Sequence, residues 1–341
     1  MRKILLATGI VALVGASGAA MAAGSDSLAD FYKDKQIHFI IASKSGGSYD
    51  VWARMISRHM GSYIPGHPSF IAQNMPGGGQ IKAANYLYNI APKDGTVITA
   101  LFSGIPTDPL INPKQVKFDV QKFNWLGSAS KETFVGYVWN TAPAQTLEDL
   151  KTKQMIVGGS GGATTDFPKL SKAILGLKFK IVEGYPGTKQ IGLAIERGEL
   201  QGDAGITWTS VKTQHSDWLR DKKIRVFVQY GAKPNPDLKD VPLMLDLAKT
   251  KADRQALALS FLRGEAQRPY TAPPGLPAER VAMLRKAFVE TLKDKAFLAD
   301  AKKRHLEVEF VSPEEMSELI AGYYQTPKSV VDRVKKIVSA K

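Results

Sequence analysis

The 341-residue sequence contains no cysteine. Disulfides and a lipid-modified N-terminal cysteine are therefore excluded, and packing has to hold the chain together. Histidine is scarce. His38, His59, His67, His215 and His305 form no i,i+4 pair, so no metal centre is expected. Long hydrophobic runs are also missing. The apolar stretch Ile4–Leu13 is short and broken by glycine, well under the roughly 20 residues of a membrane span, and no later stretch is longer. The net charge is +14, yet no dense basic tract interleaves with aromatics. The tightest cluster, Lys302-Lys303-Arg304, falls in a helical pattern and reads as a solvated face, so nucleic acid is not an expected partner.

The N-terminus sets the expected compartment. Met1-Arg2-Lys3 is basic, an apolar run follows, and Ala20-Met21-Ala22 supplies small residues at a cleavage site. This is the order of a secretory signal peptide, cut near Ala22, and residues 1–22 are set aside. The remaining chain of about 320 residues exceeds the size at which one core stops growing, so two lobes and a periplasmic location are expected.

One theme recurs along the chain: a short apolar strand, a loop rich in glycine, serine or threonine, then an amphipathic helix. Ile37–Ile41 leads into Ser43-Lys44-Ser45-Gly46-Gly47-Ser48, with Ser48 as a candidate N-cap and Trp52, Met55, Ile56, His59 and Met60 on one helical stripe. Phe70–Gln73 leads into Asn74-Met75-Pro76-Gly77-Gly78-Gly79. Thr96–Leu101 ends in Phe102-Ser103-Gly104. Beyond Trp125 the theme resumes. Val135–Trp139 is a strand, Met155–Val157 enters a loop from Gly158 to Thr165, and strands at Lys178–Val182, Leu200–Ile206 and Ile224–Gln229 follow. Thr146-Leu147-Glu148-Asp149 and Ser312-Pro313-Glu314-Glu315 are helix-start signals. The remainder is mostly helical. Such alternation predicts an α/β chain with parallel strands and helices on both faces, in two similar sets.

The glycine loops all fall where a strand ends and a helix begins. Ligands of open α/β sheets bind there, and free helix N–H groups suit an anion. The loops lack G-x-x-x-x-G-K-[ST], and no G-x-G-x-x-G opens the first helix, so no nucleotide cofactor is expected. Gly158-Gly159-Ser160-Gly161-Gly162 does satisfy G-x-S-x-G between a strand and a helix. That opens a second reading, a serine hydrolase with Ser160 as nucleophile, Asp203 or Asp217 as acid and His305 as base. Four glycines around one serine meet the pattern easily, and His305 lies in a basic helical stretch. A third reading is a periplasmic interaction module that binds no solute.

At these loops the sequence resembles the extracytoplasmic receptors of tripartite tricarboxylate transporters, the Bug/TctC family. The resemblance rests on Gly46-Gly47-Ser48-Tyr49-Asp50 with Ala53-Arg54, on Asn74-Met75-Pro76-Gly77-Gly78-Gly79, and on Pro92-Lys93-Asp94-Gly95-Thr96. It continues through Gly158 to Thr164, Tyr185-Pro186-Gly187-Thr188, Arg268-Pro269 and Ala272 to Arg280. It spans nearly the whole exported chain. It implies a type II periplasmic-binding-protein fold, two Rossmann-like lobes that close on a ligand like a flytrap, with no catalysis and no cofactor. Lobe 1 would be 23–126 plus 228–341 and lobe 2 would be 127–227, hinged near Trp125 and Phe227. The implied ligand is a small organic carboxylate, a di- or tricarboxylate or an aromatic acid, held by strand-to-helix loops and delivered to integral membrane permease subunits. Ser45, Gly46, Gly47, Ser48, Asp50, Gly78, Gly79, Ser103 and Gly104 would line the first lobe. Ser160, Gly161, Ala163, Thr164, Thr165, Tyr185, Gly187 and Asp203 would line the second. The chain departs from the family pattern at Ser43-Lys44-Ser45, at Gln80 and around Trp208, which leaves Lys44 and Trp208 as either ligand contacts or ordinary surface and core residues. A monomer is expected, since no coiled coil or long apolar edge is evident.

Overall fold

The computed structural model describes residues 28–78, 81–111 and 113–340. The signal-peptide reading and Gly79 lie outside the described residues. Ten strands run β1 (Gln36–Ile41), β2 (Ser69–Asn74), β3 (Val97–Ala100), β4 (Asn124–Ser128), β5 (Phe134–Trp139), β6 (Met155–Gly159), β7 (Phe179–Glu183), β8 (Gly202–Thr207), β9 (Ile224–Tyr230) and β10 (Pro269–Ala272). They form two five-stranded sheets, β2-β1-β3-β10-β4 and β7-β6-β8-β5-β9. Each sheet joins three parallel strands to an antiparallel pair: β10 runs against β3 and β4, and β5 runs against β8 and β9. The two halves therefore repeat one pattern, as two strand-loop-helix sets predict.

The strands are apolar along their length because helices cover both faces. In the first lobe, α1 (Ser48–Met60), α10 (Ala278–Lys293) and α11 (Lys295–Lys303) pack on one face, around Phe39, Trp52, Ile56, Tyr270 and Phe288. On the other face, α2 (Ile81–Asn89) and α12 (Pro313–Tyr324) bury Leu87, Leu101, Trp125, Ile320 and Tyr323. Ser312 closes the capping box at the start of α12, accepting from Glu315 N–H while the Glu315 carboxylate accepts from Ser312 N–H. In the second lobe, α5 (Ala163–Leu175) lies on one face, where Phe134, Phe167 and Tyr230 are buried. Short helices α6 (Thr188–Glu196), α7 (Trp208–Gln214) and α8 (Ser216–Arg220) cover the other, with Ile191, Trp208 and Trp218 inside.

The chain passes from the first sheet to the second through 129–133 and returns through 262–268. The two passes are hydrogen-bonded to each other. Glu132 N–H donates to the Gly264 carbonyl (2.8 Å), Gln267 N–H to Ser130 O (3.0 Å) and Ala129 N–H to Arg268 O (3.1 Å). The outward pass follows β4, just after Trp125. The expected return near Phe227 is corrected: Phe227 sits inside β9, buried in the second core. Leu243, Met244, Leu245, Leu257 and Phe261 join that same core, so α9 (Lys251–Phe261) packs with the second sheet and not the first. The last helix, α13 (Lys328–Ser339), docks on α5 and α9, with Val330, Val331 and Val334 against Ala256 and Leu259.

Gly264 marks how closely the two passes approach. A Cβ there would stand 2.5 Å from the Glu132 carbonyl oxygen, a backbone atom that cannot swing aside. Gly264→Ala is expected to cost about 1–3 kcal/mol, the usual penalty of forced overpacking, and to lower the melting temperature by several degrees in a thermal unfolding scan.

Candidate functional site

A cleft of about 940 Å3 opens between the lobes, lined from both sides and from both crossing segments. The first lobe contributes Gly46, Ser48, Tyr49 and Trp52 from the start of α1, and 304–307 after α11. The second contributes 187–190 at the start of α6, together with Thr207, Thr209, His215 and Trp218. The floor is made by Glu132, Gln267 and Arg268.

The loop ahead of α1 is held by Asp50. Its carboxylate accepts from Gly46 N–H (2.9 Å), Arg54 Nε (2.9 Å) and Asn74 Nδ2 (2.8 Å), and Arg54 Nη2 reaches on to Asn74 Oδ1 (2.9 Å). Burial alone would raise the Asp50 pKa, but Arg54, Gly46 and Asn74 together hold it below the ordinary carboxylate value. Asp50 is therefore a buried staple of the loop. Gly46 takes φ 80°, a turn that glycine adopts without strain. Gly47 and not Ser48 is the N-cap of α1, and no side chain caps it. The Ser48 hydroxyl instead accepts from Arg268 Nη2 at 2.9 Å.

The loop ahead of α5 closes on itself in a similar way. Ser160 N–H donates to Thr164 Oγ1 (2.9 Å) and Gly161 N–H to Thr165 Oγ1 (3.0 Å), while the Ser160 and Thr164 hydroxyls meet at 3.1 Å. Ser160 thus has a threonine, not a histidine, at its oxygen, and the geometry of a nucleophile and base is not assembled. His305 lies across the cleft after α11, and His215 stacks on Trp218 (3.8 Å between ring centroids).

Of the residues named from the sequence, Gly46, Ser48 and Gly187 line the cleft. Ser45 and Gly47 flank them in the same exposed loop. Ser103 stands at its edge, its N–H 3.4 Å from the Tyr49 hydroxyl, and the Tyr49 ring packs on Phe102 at 3.9 Å. Gly104 abuts the Asp108 carboxylate, and Gly78 is exposed near Gln115. Ser160, Gly161, Ala163, Thr164, Thr165 and Tyr185 are not among the residues lining the cleft. Asp203 is a correction. It lies on β8, paired across from Tyr137 of β5, fully buried and without a well-formed hydrogen bond on either oxygen. Trp208 packs in the second core with its indole N–H on Asp237 (3.0 Å), as a core residue would. Lys44 is exposed and is not among the lining residues.

Sequence reasoning missed the floor. Arg268 is 7% exposed, its guanidinium lies 4.3 Å from the Tyr49 ring centroid, and its Nε has no hydrogen-bond partner. The Tyr49 hydroxyl donates to Gln267 O at 2.9 Å. With its amide set the way its neighbours require, Gln267 donates to Ser103 Oγ (2.8 Å) and Arg263 O (3.0 Å), tying the return pass to the loop after β3. Beside them, burial pushes the half-buried Glu132 carboxyl up to about 7 against the pull of Arg268 and Thr209. Arg268 appears in the sequence reading only within the Arg268-Pro269 likeness, and its role on the floor, like those of Glu132 and Gln267, depends on partners far away in the chain.

No family model matches the chain. Against solved structures it matches a TctC solute-binding protein from Polaromonas with no ligand, at TM-score 0.67 and 17% identity, covering 89% of this chain and 99% of the other. The fold is that of the TctC and Bug solute-binding proteins. Rpa4515 from R. palustris with adipate (TM-score 0.63, 19% identity, 89% and 97% covered) and MatC from Rhodopseudomonas palustris with bound malate (0.61, 17%, 89% and 99%) share it. Among curated sequences, the UPF0065 protein in the gbd 5′ region of Cupriavidus necator is 21% identical across 98% of this chain and 97% of its own length. The resemblance read in the glycine loops, and the two-lobed α/β fold it implies, are borne out.

Asp203 generates a stability prediction. Burial raises its pKa from 3.8 to about 7. Between those values the folded chain holds a proton that the unfolded chain has lost, so its contribution to stability falls as pH rises through that window. Asp203→Asn is expected to match the parent near pH 4 and to be more stable above pH 7, measured by denaturant unfolding across pH.

Proposed function

We propose that the protein is a periplasmic solute-binding receptor that captures a small organic carboxylate in the cleft between its lobes. It then delivers the solute to the membrane subunits of a tripartite tricarboxylate-type transporter. The observation that carries the reading is the cleft itself: one open space lined by both lobes and floored by the two passes that join them. A ligand that touches both walls favours the closed arrangement by its differential affinity for it. Periplasmic placement is supported by the leader-like N-terminus and by the similarity to the periplasmic binding protein BugD.

Binding and not turnover fits the chemistry of the cleft. A carboxylate needs donors and a positive potential, which the N-terminus of α6, the Gly46–Ser48 loop and Arg268 provide. Specificity then comes from polar groups at the far end of the solute, because a wrong ligand leaves them desolvated and unpaired.

Thermal melting of the chain from Ala23 onward against mono-, di- and tricarboxylic and aromatic acids tests this. A ligand at 100 times its Kd stabilises by about 2.7 kcal/mol, which raises the melting temperature by a few degrees. A shift with one chemical class is the expected result. No shift with any acid, from protein confirmed ligand-free, overturns the reading in favour of an interaction module.

A further inference from the structure

We propose that Arg268, on the return pass between the lobes, is the ionic anchor for the solute's carboxylate; this deepens the receptor reading and rests on it. The expectation drawn from the resemblance is a grip made by the strand-to-helix loops, whose free N–H groups suit an anion. Several of those N–H groups are already occupied in this chain. Gly46 N–H is held by Asp50, Ser160 N–H by Thr164 and Gly161 N–H by Thr165.

Arg268 is in the opposite condition. Its side chain is more than nine-tenths buried yet borders the cleft. It donates to neutral oxygens, Ser48 Oγ at 2.9 Å, the Gln267 carbonyl at 3.1 Å and, with the Gln267 amide set as above, Gln267 Oε1 at 3.3 Å, and its Nε donates to nothing. Among the described residues no carboxylate forms an ion pair with it. Glu132 couples to its charge but forms no direct pair with it and is itself pushed toward the neutral form by burial, so a solute carboxylate supplies the close counter-ion that a buried cation needs. The Tyr49 ring at 4.3 Å fixes the plane of the guanidinium and partly offsets its charge. A planar fork held in one orientation suits a planar carboxylate, which it can bind through two parallel hydrogen bonds.

The position also explains why binding would be felt by both lobes. Arg268 belongs to the crossing ribbon, its N–H donates to Ser128 Oγ at the end of β4 (3.0 Å), and its tip reaches the start of α1. Glu132 stands on the other pass and lines the same floor. The ligand class is an organic acid presenting a free carboxylate at the cleft floor. An ester or amide of the same acid offers no charge to the fork.

The test uses Arg268→Gln and Arg268→Lys in the chain from Ala23 onward, with malate, adipate and each acid that shifts the parent's melting temperature, and with the methyl ester of each. Isothermal titration gives Kd, and scans without ligand give the melting temperature. The parent is expected to prefer acid over ester by about 30-fold or more, the cost of unpairing a buried charge. Arg268→Gln is expected to lose most of that preference while melting, without ligand, no lower than the parent. Arg268→Lys, which keeps the charge but not the fork, is expected to fall between them. Equal acid-over-ester preference in parent and Arg268→Gln overturns the anchor and leaves the receptor reading standing. Absence of binding by any acid to the parent overturns both. If Arg268→Gln does not fold, Arg268→Met takes its place, and an acid-over-ester preference there equal to the parent's overturns the anchor.

Discussion

The hydrogen bonds between the two crossing segments are the constraint from which the rest of the site follows. They bring residues separated by more than a hundred positions into one ribbon, with Glu132 on one edge and Gln267 and Arg268 on the other. Because the ribbon is central, its side chains face the cleft from below while the loops of each lobe face it from the sides. The contacts of Arg268 with Ser48 and of Tyr49 with Gln267 then tie the start of α1 to the ribbon. The first loop is consequently braced twice, by Asp50 from within its own lobe and by the ribbon from beneath.

Much of the fold was legible because its signals are local. Ile37–Ile41 and Val135–Trp139 are apolar runs bounded by loops, and they lie where such runs should, in sheets covered on both faces. Ser312 and Glu315 announce a capping box and make one. Strand β10 was missed for a physical reason. It is four residues long and opens with Pro269, so its sequence carries neither alternation nor length, and its place between β3 and β4 is fixed entirely by partners elsewhere. The same holds for 243–261, whose helix is visible but whose allegiance to the second core is set by contact with Phe167 and Tyr230.

The site was legible only in part, and the misreadings share a cause. An acid in a glycine loop at a strand end looks like a ligand group, and Asp50 has that setting. Its role as a staple depends on Asn74, which arrives from the next strand. Asp203 was carried over from the resemblance, but its strand is central and its side chain is fully buried. Ser160 meets a nucleophile pattern through its glycines alone, and the hydroxyl it finds is Thr164. Arg268 entered only as part of the Arg268-Pro269 likeness, and its place on the cleft floor is set by Ser48, Tyr49 and Ser128, which lie far from it in the chain.

The ribbon has a mechanical consequence. Two hydrogen-bonded strands resist sliding along each other, since a slip breaks every bond and changes register by whole residues. They bend across their face through small, shared changes in φ and ψ. Residues 324–328 add a further pass between the halves, from α12 on β4 to α13 on α5 and α9. The last helix also packs on Leu110 and Ile111 of the first lobe, and Lys212 pairs with Glu307 from the opposite wall at 2.7 Å, so the halves are joined at several separated places. Any flexure at Gly264 and Glu132 would therefore have to be accommodated by those contacts as well as by the ribbon, with Lys189 and Arg304 on opposite walls of the cleft.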